Sequence, residues 1–565
     1  MAISMSAKAL QGLMDSTALF ALIDVREWGE FALGQILGAR SVPRGQLEKY
    51  LPYLVPKRGV TVVLVCDDGR RSTRAAATAE GLGYSRVAVL DGGLLAWKAA
   101  DGETYGGWSL TGKDYAEKLL VEENVPEISV AELHEWLKRD QKVCILDSRP
   151  LAEYRASHLP GARSAPIGQL ALEAAALVPD PQTPVVANCA GRTRGIIAAH
   201  LLRRLGISNP VFALKGGTGA WRIAGWGDEL KSGDDAPHPA SDVDAVTHAE
   251  EAAARLAHEH KIGLLTTAKL RALHDAGEPL YILDVRLADE YAAGHIPSSR
   301  FCSGTQIQFI VDALVGVPNA TVVTVCDGRA RATIAASTLK GMGYRNVFVL
   351  DGGVNAWIAS GYPVELGPPE EVDYGQAPWL AGFLQDFPPS LGAPRPLAVA
   401  GLEAARRHAS LISAEDLSAR LQAGAPTPVM IDLRGVGEFG NGHIPGARWL
   451  SRGWLDLKIA ETAPDTGASL ALYCRRGAES VLGAATLMSM GYRNVVILAG
   501  GFEAWKAHAL PIEEGLGAQS QLEEIAIAEV GLFGTGKFGY SNERMARYLK
   551  DEEALGRRHR IKVAE

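Results

Sequence analysis

Four of the six cysteines in the 565-residue chain stand in the same sequence context. Each ends a short apolar run and precedes a glycine-containing loop and an alanine-rich stretch; they are Cys66, Cys189, Cys326 and Cys474. The run predicts a buried strand, and the stretch after the loop predicts a helix. A loop between the two can point backbone N–H groups and the positive end of the helix at the sulfur. We therefore expect each cysteine to be available as a thiolate at neutral pH and to suit a persulfide anion.

The four cysteine loops read CDDGRRS, CAGRTRG, CDGRARA and CRRGAES. The first three have an arginine five residues after the cysteine, whereas the fourth has Glu479 there and carries Arg475 and Arg476 instead. The glycine stands two residues after the cysteine in loops 2 and 3 and three residues after it in loops 1 and 4. We expect these residues to bind an anionic sulfur donor or to hold the loop shape: Arg71, Arg194, Arg331, Arg475, Arg476, Gly69, Gly191, Gly328 and Gly477.

Around the cysteines the chain repeats one pattern four times. An apolar run ends in Asp-x-Arg, and a Glu-aromatic pair and a turn follow it. Each copy then closes on Gly-Gly-x-x-Ala-Trp. The aspartates precede their cysteines by 42 residues in every copy; they are Asp24, Asp147, Asp284 and Asp432. Four identical registers indicate an internal repeat.

Each copy predicts a small α/β domain, because short apolar runs alternate with helical segments, as in parallel sheets with crossover helices. We place the four domains at residues 1–112, 122–230, 259–367 and 409–517. Segments rich in Pro, Gly and acidic residues indicate linkers at 231–258 and 368–408. Residues 518–565 predict a helical extension.

Other recurring residues are typical of structural roles. The Asp-x-Arg pairs are expected to form buried ion pairs at strand ends. The turn histidines are expected to make stabilising hydrogen bonds; they are His158, His295 and His443. Core positions are predicted for the four tryptophans of the closing motif and for the two remaining cysteines: Trp97, Trp221, Trp357, Trp505, Cys144 and Cys302.

Composition excludes several classes of protein. The net charge is −8 with the signs interspersed, which leaves no basic stripe for nucleic acid. No apolar run is long enough to cross a bilayer, so we expect no membrane partner. The cysteines form no CxxC or Cys/His cluster, and we expect neither a metal nor a cofactor. The first residues lack the pattern of a secretion signal, which favours a cytoplasmic protein.

The Asp-x-Arg strand, the GHIPGA-type turn, the strand-Cys-loop-helix and the Gly-Gly-x-x-Ala-Trp ending resemble the rhodanese family over about 80% of the chain. The resemblance implies four parallel-sheet α/β/α sandwiches and a sulfurtransferase. In its double-displacement cycle the cysteine takes sulfane sulfur from a donor and gives it to a nucleophilic acceptor. Thiosulfate, a thiol persulfide and mercaptopyruvate are all open as donors. The acceptor is expected to be a thiol, a cyanide-like molecule or a sulfur-accepting protein.

Three alternatives accompany this interpretation. Phosphatases of the same fold need Cys-x5-Arg, but the sixth residue after each cysteine is never arginine; it is Ser72, Gly195, Ala332 or Ser480. The loops are thus one residue too short for that chemistry. A second hypothesis is a sulfur-carrier or scaffold protein in which only one or two domains react. A third is a relay of sulfur between the domains of one chain.

Overall fold

The computed structural model describes residues 2–178, 180–233, 243–371, 395–423, 427–531 and 540–564. Each repeat forms a five-stranded sheet in which the strands lie in the order first, fifth, fourth, second, third. The paired strands run parallel, and helices connect them. The α/β fold predicted from the alternating apolar and helical segments is confirmed.

The strands have nearly the same lengths in the four repeats. Repeat 1 has β1 (Ile3–Met5), β2 (Phe20–Asp24), β3 (Arg40–Ser41), β4 (Thr61–Val65) and β5 (Val87–Leu90). Repeat 2 has β6 (Glu127–Ile128), β7 (Cys144–Asp147), β8 (Ala162–Ser164), β9 (Val185–Asn188) and β10 (Val211–Leu214). Repeat 3 has β11 (Gly263–Leu265), β12 (Leu280–Asp284), β13 (Arg300–Phe301), β14 (Thr321–Val325) and β15 (Val347–Leu350). After two short strands outside the repeats, β16 (Glu370–Glu371) and β17 (Arg395–Pro396), repeat 4 has β18 (Leu411–Ile412), β19 (Val429–Asp432), β20 (Arg448–Trp449), β21 (Ser469–Tyr473) and β22 (Asn494–Leu498).

The helices repeat in the same way. Repeat 1 contains α1 (Ala7–Asp15), α2 (Trp28–Leu33), α3 (Leu47–Leu54), α4 (Arg70–Gly81) and α5 (Gly93–Ala99), and α6 (Leu110–Glu122) leads to repeat 2. Repeat 2 contains α7 (Val130–Lys138), α8 (Leu151–Ala156), α9 (Leu170–Leu177), α10 (Thr193–Arg204) and α11 (Gly217–Ile223), and α12 (Val243–Glu259) precedes repeat 3. Repeat 3 contains α13 (Thr267–Ala276), α14 (Ala288–Ala293), α15 (Ile307–Leu314), α16 (Ala330–Gly341) and α17 (Gly353–Ala359). Then follow α18 (Leu402–Arg406), α19 (Ala414–Gln422), α20 (Val436–Asn441), α21 (Leu455–Thr462), α22 (Ala478–Ser489), α23 (Gly501–Ala507), α24 (Glu523–Val530) and α25 (Asn542–Ala564).

The constant spacing of 42 residues between aspartate and cysteine follows from strand register. Asp24 at the end of β2 lies beside Val65, the last residue of β4, and Cys66 comes next. The same register pairs the aspartate of every other repeat with the residue before its cysteine. Because the carboxyl ends of parallel strands meet at one edge of the sheet, the Asp-x-Arg segment and the cysteine loop share that edge.

Buried ion pairs fix this edge, as expected. Arg26 binds both carboxylate oxygens of Asp24 and donates a further hydrogen bond to the carbonyl of Gly34. The other three repeats make the same ion pair through Arg149, Arg286 and Arg434. A buried guanidinium with several partners holds the strand end and the following turn in one position.

The expected structural roles of the histidines and tryptophans are also confirmed. The Nδ1 atom of His158 hydrogen-bonds the carbonyl of Tyr154, and its backbone pairs with Lys231 beyond the last helix of the repeat. His295 and His443 are placed in the same way. The four motif tryptophans are buried, and the two cysteines outside the loops are buried or half-buried.

The chain divides into two compact units. Unit 1 contains repeats 1 and 4, within Met1–Gly106 and Pro396–Gly539. Unit 2 contains repeats 2 and 3 and the C-terminal helix, within Gly107–Glu371 and Tyr540–Glu565. None of the helices in the described ranges is both long and apolar enough to span a membrane.

The segments predicted as linkers contain regular structure where they are described. Helix α12 occupies much of 231–258 and packs on α9 and α16 within unit 2. Most of 368–408 lies outside the described residues, and α18 falls in the remainder. The predicted C-terminal extension is helical in α24 and α25, with residues 532–539 outside the described part.

Candidate active site

The loops of unit 1 surround the cysteine sulfur with hydrogen-bond donors. The Sγ atom of Cys66 accepts backbone N–H groups from Gly69 at 3.2 Å and from Ser72 at 3.4 Å, and the Ser72 hydroxyl lies 3.4 Å away. In repeat 4, Gly477 donates its N–H to the Sγ of Cys474 at 3.1 Å, and the Ser480 hydroxyl lies at 3.4 Å. Two separate loops thus place a backbone amide on the sulfur and a serine hydroxyl beside it, and that hydroxyl donates its own hydrogen bond to the carbonyl of the loop glycine. Such donors stabilise negative charge at this position.

The glycine three residues after the cysteine is required by the shape of these two loops. Gly69 and Gly477 have φ angles of +93° and +106°, in the left-handed region that a residue with a Cβ rarely adopts. Each is the residue before its helix, so the sulfur lies at the amino end of α4 or α22. The glycine therefore permits the turn that aims its own N–H at the sulfur.

The loops of unit 2 hold the sulfur with a different set of donors. The backbone N–H groups of Gly191 and Gly195 act to lower the pKa of Cys189, and those of Gly328 and Ala332 act to lower that of Cys326, in both cases against burial. The residue before the helix is Arg192 or Arg329, with φ near −120° or −131°. No side-chain hydroxyl replaces the serine, because the sixth residue is glycine or alanine. In these two loops the glycine stands two residues after the cysteine instead of three, and the turn before the helix differs accordingly.

A second glycine brings the closing helix against the cysteine backbone. The second glycine of Gly-Gly-x-x-Ala-Trp, Gly93 in repeat 1, leaves no room for a Cβ because the carbonyl of Cys66 lies against it. The next residue, Leu94, donates its N–H to that carbonyl at 2.9 Å. The same contact recurs in the other repeats at Gly217, Gly353 and Gly501. The closing motif therefore fixes the backbone of the cysteine loop.

The arginines five residues after the cysteine are buried and paired with carboxylates. Arg71 binds both oxygens of Glu30 and, at 2.6 Å, Asp67. Its guanidinium also stacks on Trp454, 4.0 Å from the ring centroid. Arg194 and Arg331 make the same bidentate pair with Glu153 and Glu290. These contacts join the cysteine loop to α2, α8 or α14, and the binding of an anionic donor by these arginines stays a prediction.

Loop 4 makes the equivalent tie with a different arginine. Its glutamate in the same repeat position, Glu438, accepts a hydrogen bond from the Nε of Arg475 at 2.9 Å. Glu479, which replaces the arginine, lies beside Gln46; burial raises the pKa of Cys474, and the charge of Glu479 adds to that rise. Arg476 is exposed on the loop. Arg475 thus contacts the repeat glutamate of loop 4, and its compensation for the missing arginine in donor binding stays a prediction.

The glutamates that receive these arginines carried a signal that sequence reasoning did not use. They belong to the Glu-aromatic pair of the repeat and stand six residues after each aspartate; they are Glu30, Glu153, Glu290 and Glu438. Their recurrence was visible, but a contact between residues 41 positions apart has no local pattern. The structure assigns them as the partners that hold the cysteine loops.

Burial acts against the thiolate in three of the four loops. It raises the pKa of Cys189, Cys326 and Cys474, while backbone N–H groups oppose the change. The pKa of Cys326 rises to about 12, because burial and the Asp327 charge outweigh Arg331 and the loop amides. Burial therefore opposes the accessible thiolate that the sequence led us to expect at these three cysteines. Desolvation of a buried anion is the physical reason.

The pKa of Cys326 gives a first testable prediction. Only the thiolate is alkylated, and a pKa of about 12 means that its fraction grows with pH throughout the neutral and mildly alkaline range. We expect the alkylation rate of Cys326 to rise about tenfold per pH unit from about pH 7 to pH 10, whereas a free cysteine with a pKa of about 8.5 levels off. Peptide-resolved mass spectrometry after iodoacetamide pulses measures this. A plateau of the alkylation rate below pH 9 would show that the loop amides outweigh burial in setting the pKa of Cys326.

The surroundings of the loops differ between the two units. Arg70 and Arg476 are exposed on loops 1 and 4, and loop 3 keeps Asp327 exposed. Loop 2 is buried along its whole length, from Cys189 to Gly195. Loops 1, 3 and 4 thus each have an exposed residue, and of these three only loops 1 and 4 also have a serine hydroxyl beside the sulfur.

Comparison with known proteins agrees with this architecture. The model of the Rhodanese-like domain matches residues 6–100, 129–224, 266–360 and 413–508. The crystal structure of a thiosulfate sulfurtransferase from Pseudomonas aeruginosa superposes with a TM-score of 0.77 and 30% identity, covering 98% of this chain and 97% of that one.

Two shorter relatives correspond to single repeats. A sulfurtransferase of Allochromatium vinosum is 38% identical over 101 residues, which is 18% of this chain and 92% of the relative. The thiosulfate sulfurtransferase GlpE of Stutzerimonas stutzeri is 39% identical over 100 residues, 18% of this chain and 86% of its own. With four matched segments and a full-length structural relative, the chain belongs to the family of proteins built from Rhodanese-like domains.

Proposed function

We propose that this protein transfers sulfane sulfur through persulfides formed on Cys66 and Cys474. The observation that carries the proposal is the matched pair of loops in unit 1, each with a backbone amide on the sulfur and a serine hydroxyl beside it. Membership of a family whose named relatives include sulfurtransferases supports the reaction class. Of the four cysteines predicted as sites, these two combine a serine hydroxyl beside the sulfur with a loop that reaches the surface.

The proposed cycle has two displacements. In the first, the cysteine thiolate attacks the sulfane sulfur of the donor, so that a Cys–S–S bond forms and the donor's own bond to that sulfur breaks. With thiosulfate the leaving group is sulfite, which takes the bonding electron pair. In the second displacement an acceptor nucleophile, a thiol or cyanide, attacks the outer sulfur and the thiolate is restored. The loop amides stabilise the negative charge that resides on sulfur between the steps.

Thiosulfate is the donor that we propose first. The relatives from Pseudomonas aeruginosa and Stutzerimonas stutzeri are named for it. Each aspartate of loop 1 has an arginine partner, because Asp67 contacts Arg26 and Arg71, which also bind Asp24 and Glu30, and Asp68 contacts Arg70. A dianionic donor therefore meets a loop whose carboxylates already have cationic partners.

Sulfur loading tests the proposal. The full-length protein is incubated with thiosulfate, freed of donor, and digested for peptide mass measurement without a reducing agent. We expect one added sulfur atom on the Cys66 peptide and one on the Cys474 peptide, with sulfite released in equal amount. A parallel incubation with glutathione persulfide covers the second donor class. Both peptides unmodified after both donors would overturn the proposal.

A further inference from the structure

A glutamate from outside the repeat occupies the cysteine loop of repeat 3. Glu250 on α12 accepts the backbone N–H groups of Arg329 at 2.9 Å and of Ala330 at 3.0 Å through one carboxylate oxygen. Its other oxygen accepts the Nε of Arg329 at 2.9 Å. The first of these amides belongs to the third residue after the cysteine, whose counterpart in unit 1 binds the sulfur. A carboxylate has thus taken the donors at the amino end of α16.

A second glutamate covers the loop of repeat 2. Glu552 on α25 is 2% exposed and accepts the hydroxyl of Thr193 at 3.1 Å. A Cβ added to Gly191 would lie 3.3 Å from a Glu552 oxygen and 3.0 Å from the Tyr548 ring, so the helix rests directly on the loop. The charge of Glu552 also raises the pKa of Cys189, after burial itself.

Both helices lie outside the segments that match the Rhodanese-like domain, and both belong to unit 2 with the loops they cover. Apolar contacts seat them: Ala249 and Ala253 of α12 pack on Ala330, and Met545 of α25 lies against Gly219. Two unrelated helices therefore each bring a carboxylate to the first turn of the helix after the cysteine: Glu250 accepts backbone N–H groups there, and Glu552 accepts the Thr193 hydroxyl. That end binds anions through its free N–H groups.

We propose that the carboxylates of Glu250 and Glu552, which α12 and α25 hold in place, block the binding of anionic sulfur donors to the loops of Cys326 and Cys189. The inference builds on the proposed sulfur transfer, since the carboxylate takes the place of the anion that a loop in unit 1 would receive. Repeats 2 and 3 are latent sites, and each opens when its own glutamate leaves the loop.

Single substitutions of the two glutamates test this in the full-length protein. Loss of three hydrogen bonds to a carboxylate should let the loop open far more often, so we expect Glu250→Ala to raise the alkylation rate of Cys326 about tenfold or more. Cys189 in the same variant should stay within about twofold of wild type. Glu552→Ala should give the reverse pattern. Iodoacetamide, which is uncharged, is the probe, with peptide-resolved mass spectrometry as the readout.

Matched controls come from the same helices. Glu251→Ala and Glu543→Ala remove exposed carboxylates from α12 and α25 and should leave both cysteines unchanged. If an alanine variant increases the labelling of both Cys189 and Cys326, the substitution has unfolded unit 2. The variants Glu250→Gln and Glu552→Gln then test the proposal, because glutamine removes the charge and keeps the shape of the side chain. Faster labelling confined to the uncovered cysteine supports the proposal, and unchanged labelling in the alanine or glutamine variants overturns it.

Loading with thiosulfate separates this inference from the function on which it builds. If alkylation of Cys326 rises in Glu250→Ala and sulfur also appears on that cysteine, both proposals stand. If alkylation rises but no loop of any variant takes up sulfur, the glutamate closes the loop and the sulfur-transfer proposal fails. If sulfur loads on Cys66 and Cys474 while Glu250→Ala and Glu250→Gln leave Cys326 as slow as in the wild type, the function stands and the closure is refuted.

Discussion

Replacing Cys66 and Cys474 together by serine is expected to lower the rate of sulfur transfer from thiosulfate to cyanide by about 1,000-fold or more. A serine hydroxyl does not ionise at neutral pH and cannot form the persulfide. Each loop supplies its own donors to its own sulfur, so neither site depends on the other's cysteine. Each single variant should therefore keep about half of the activity, if the two sites turn over at similar rates.

The matched control is the double variant Cys189→Ser with Cys326→Ser. These thiols lie in loops that Glu552 and Glu250 contact, so their loss should change the rate by less than about twofold. Steady-state thiocyanate formation with both substrates varied gives the comparison. Activity that survives in the first double variant and disappears in the second would assign the chemistry to unit 2 instead.

Removing one partner of a buried ion pair should cause the largest loss of stability. Asp432 is inaccessible to solvent and binds the Nε and Nη2 atoms of Arg434, which also donates to the carbonyl of Gly442. Asp432→Ala leaves a buried guanidinium without its carboxylate. We expect repeat 4 to lose about 3–5 kcal/mol of its free energy of unfolding.

Protection of Cys474 reports this loss within its own repeat. The cysteine is buried and follows Tyr473, the strand neighbour of Asp432, so its alkylation in increasing urea follows opening of that sheet edge. The double variant Asp432→Ala with Arg434→Met removes the charge as well as its partner and should recover about half of the loss. A single variant that costs less than about 1 kcal/mol would show that the guanidinium finds water or another acceptor.

The repeat structure of the site was predictable because it rests on local sequence. An apolar run before a glycine loop can be recognised in a single repeat, and four copies remove the ambiguity. The spacing from aspartate to cysteine is constant because Asp24 lies beside Val65 in the register of β2 and β4, and every repeat keeps that register. The position of the loop glycine also distinguished the loops of Gly69 and Gly477 from the two loops of unit 2, although the sequence did not show that the two kinds of loop form different turns.

The contacts that distinguish the four loops were not predictable. Glu250 belongs to a segment whose composition indicated a linker, and it reaches amides 79 and 80 residues further along the chain. Glu552 is 359 residues from Thr193. The association of repeat 1 with repeat 4 in one unit is equally non-local. Periodicity reports which face of an element is buried, and it carries no information on which distant element covers that face.

The raised pKa of three of the four loop cysteines also depends on non-local structure. The strand-end position and the helix after it both predict a lowered pKa, and the amides do contact the sulfur. Burial, which depends on the whole fold, raises the pKa of three cysteines in spite of those amides. Local donors and global desolvation act in opposite directions here, and only the folded chain shows which prevails.

A single-turnover chase tests the persulfide mechanism most directly. Protein loaded with thiosulfate and freed of donor is mixed with cyanide, and thiocyanate is measured beside the masses of the cysteine peptides. The mechanism predicts that thiocyanate appears in an amount equal to the sulfur lost from Cys66 and Cys474. Thiocyanate that forms only while thiosulfate and cyanide are present together, with no sulfur on either cysteine, would contradict it.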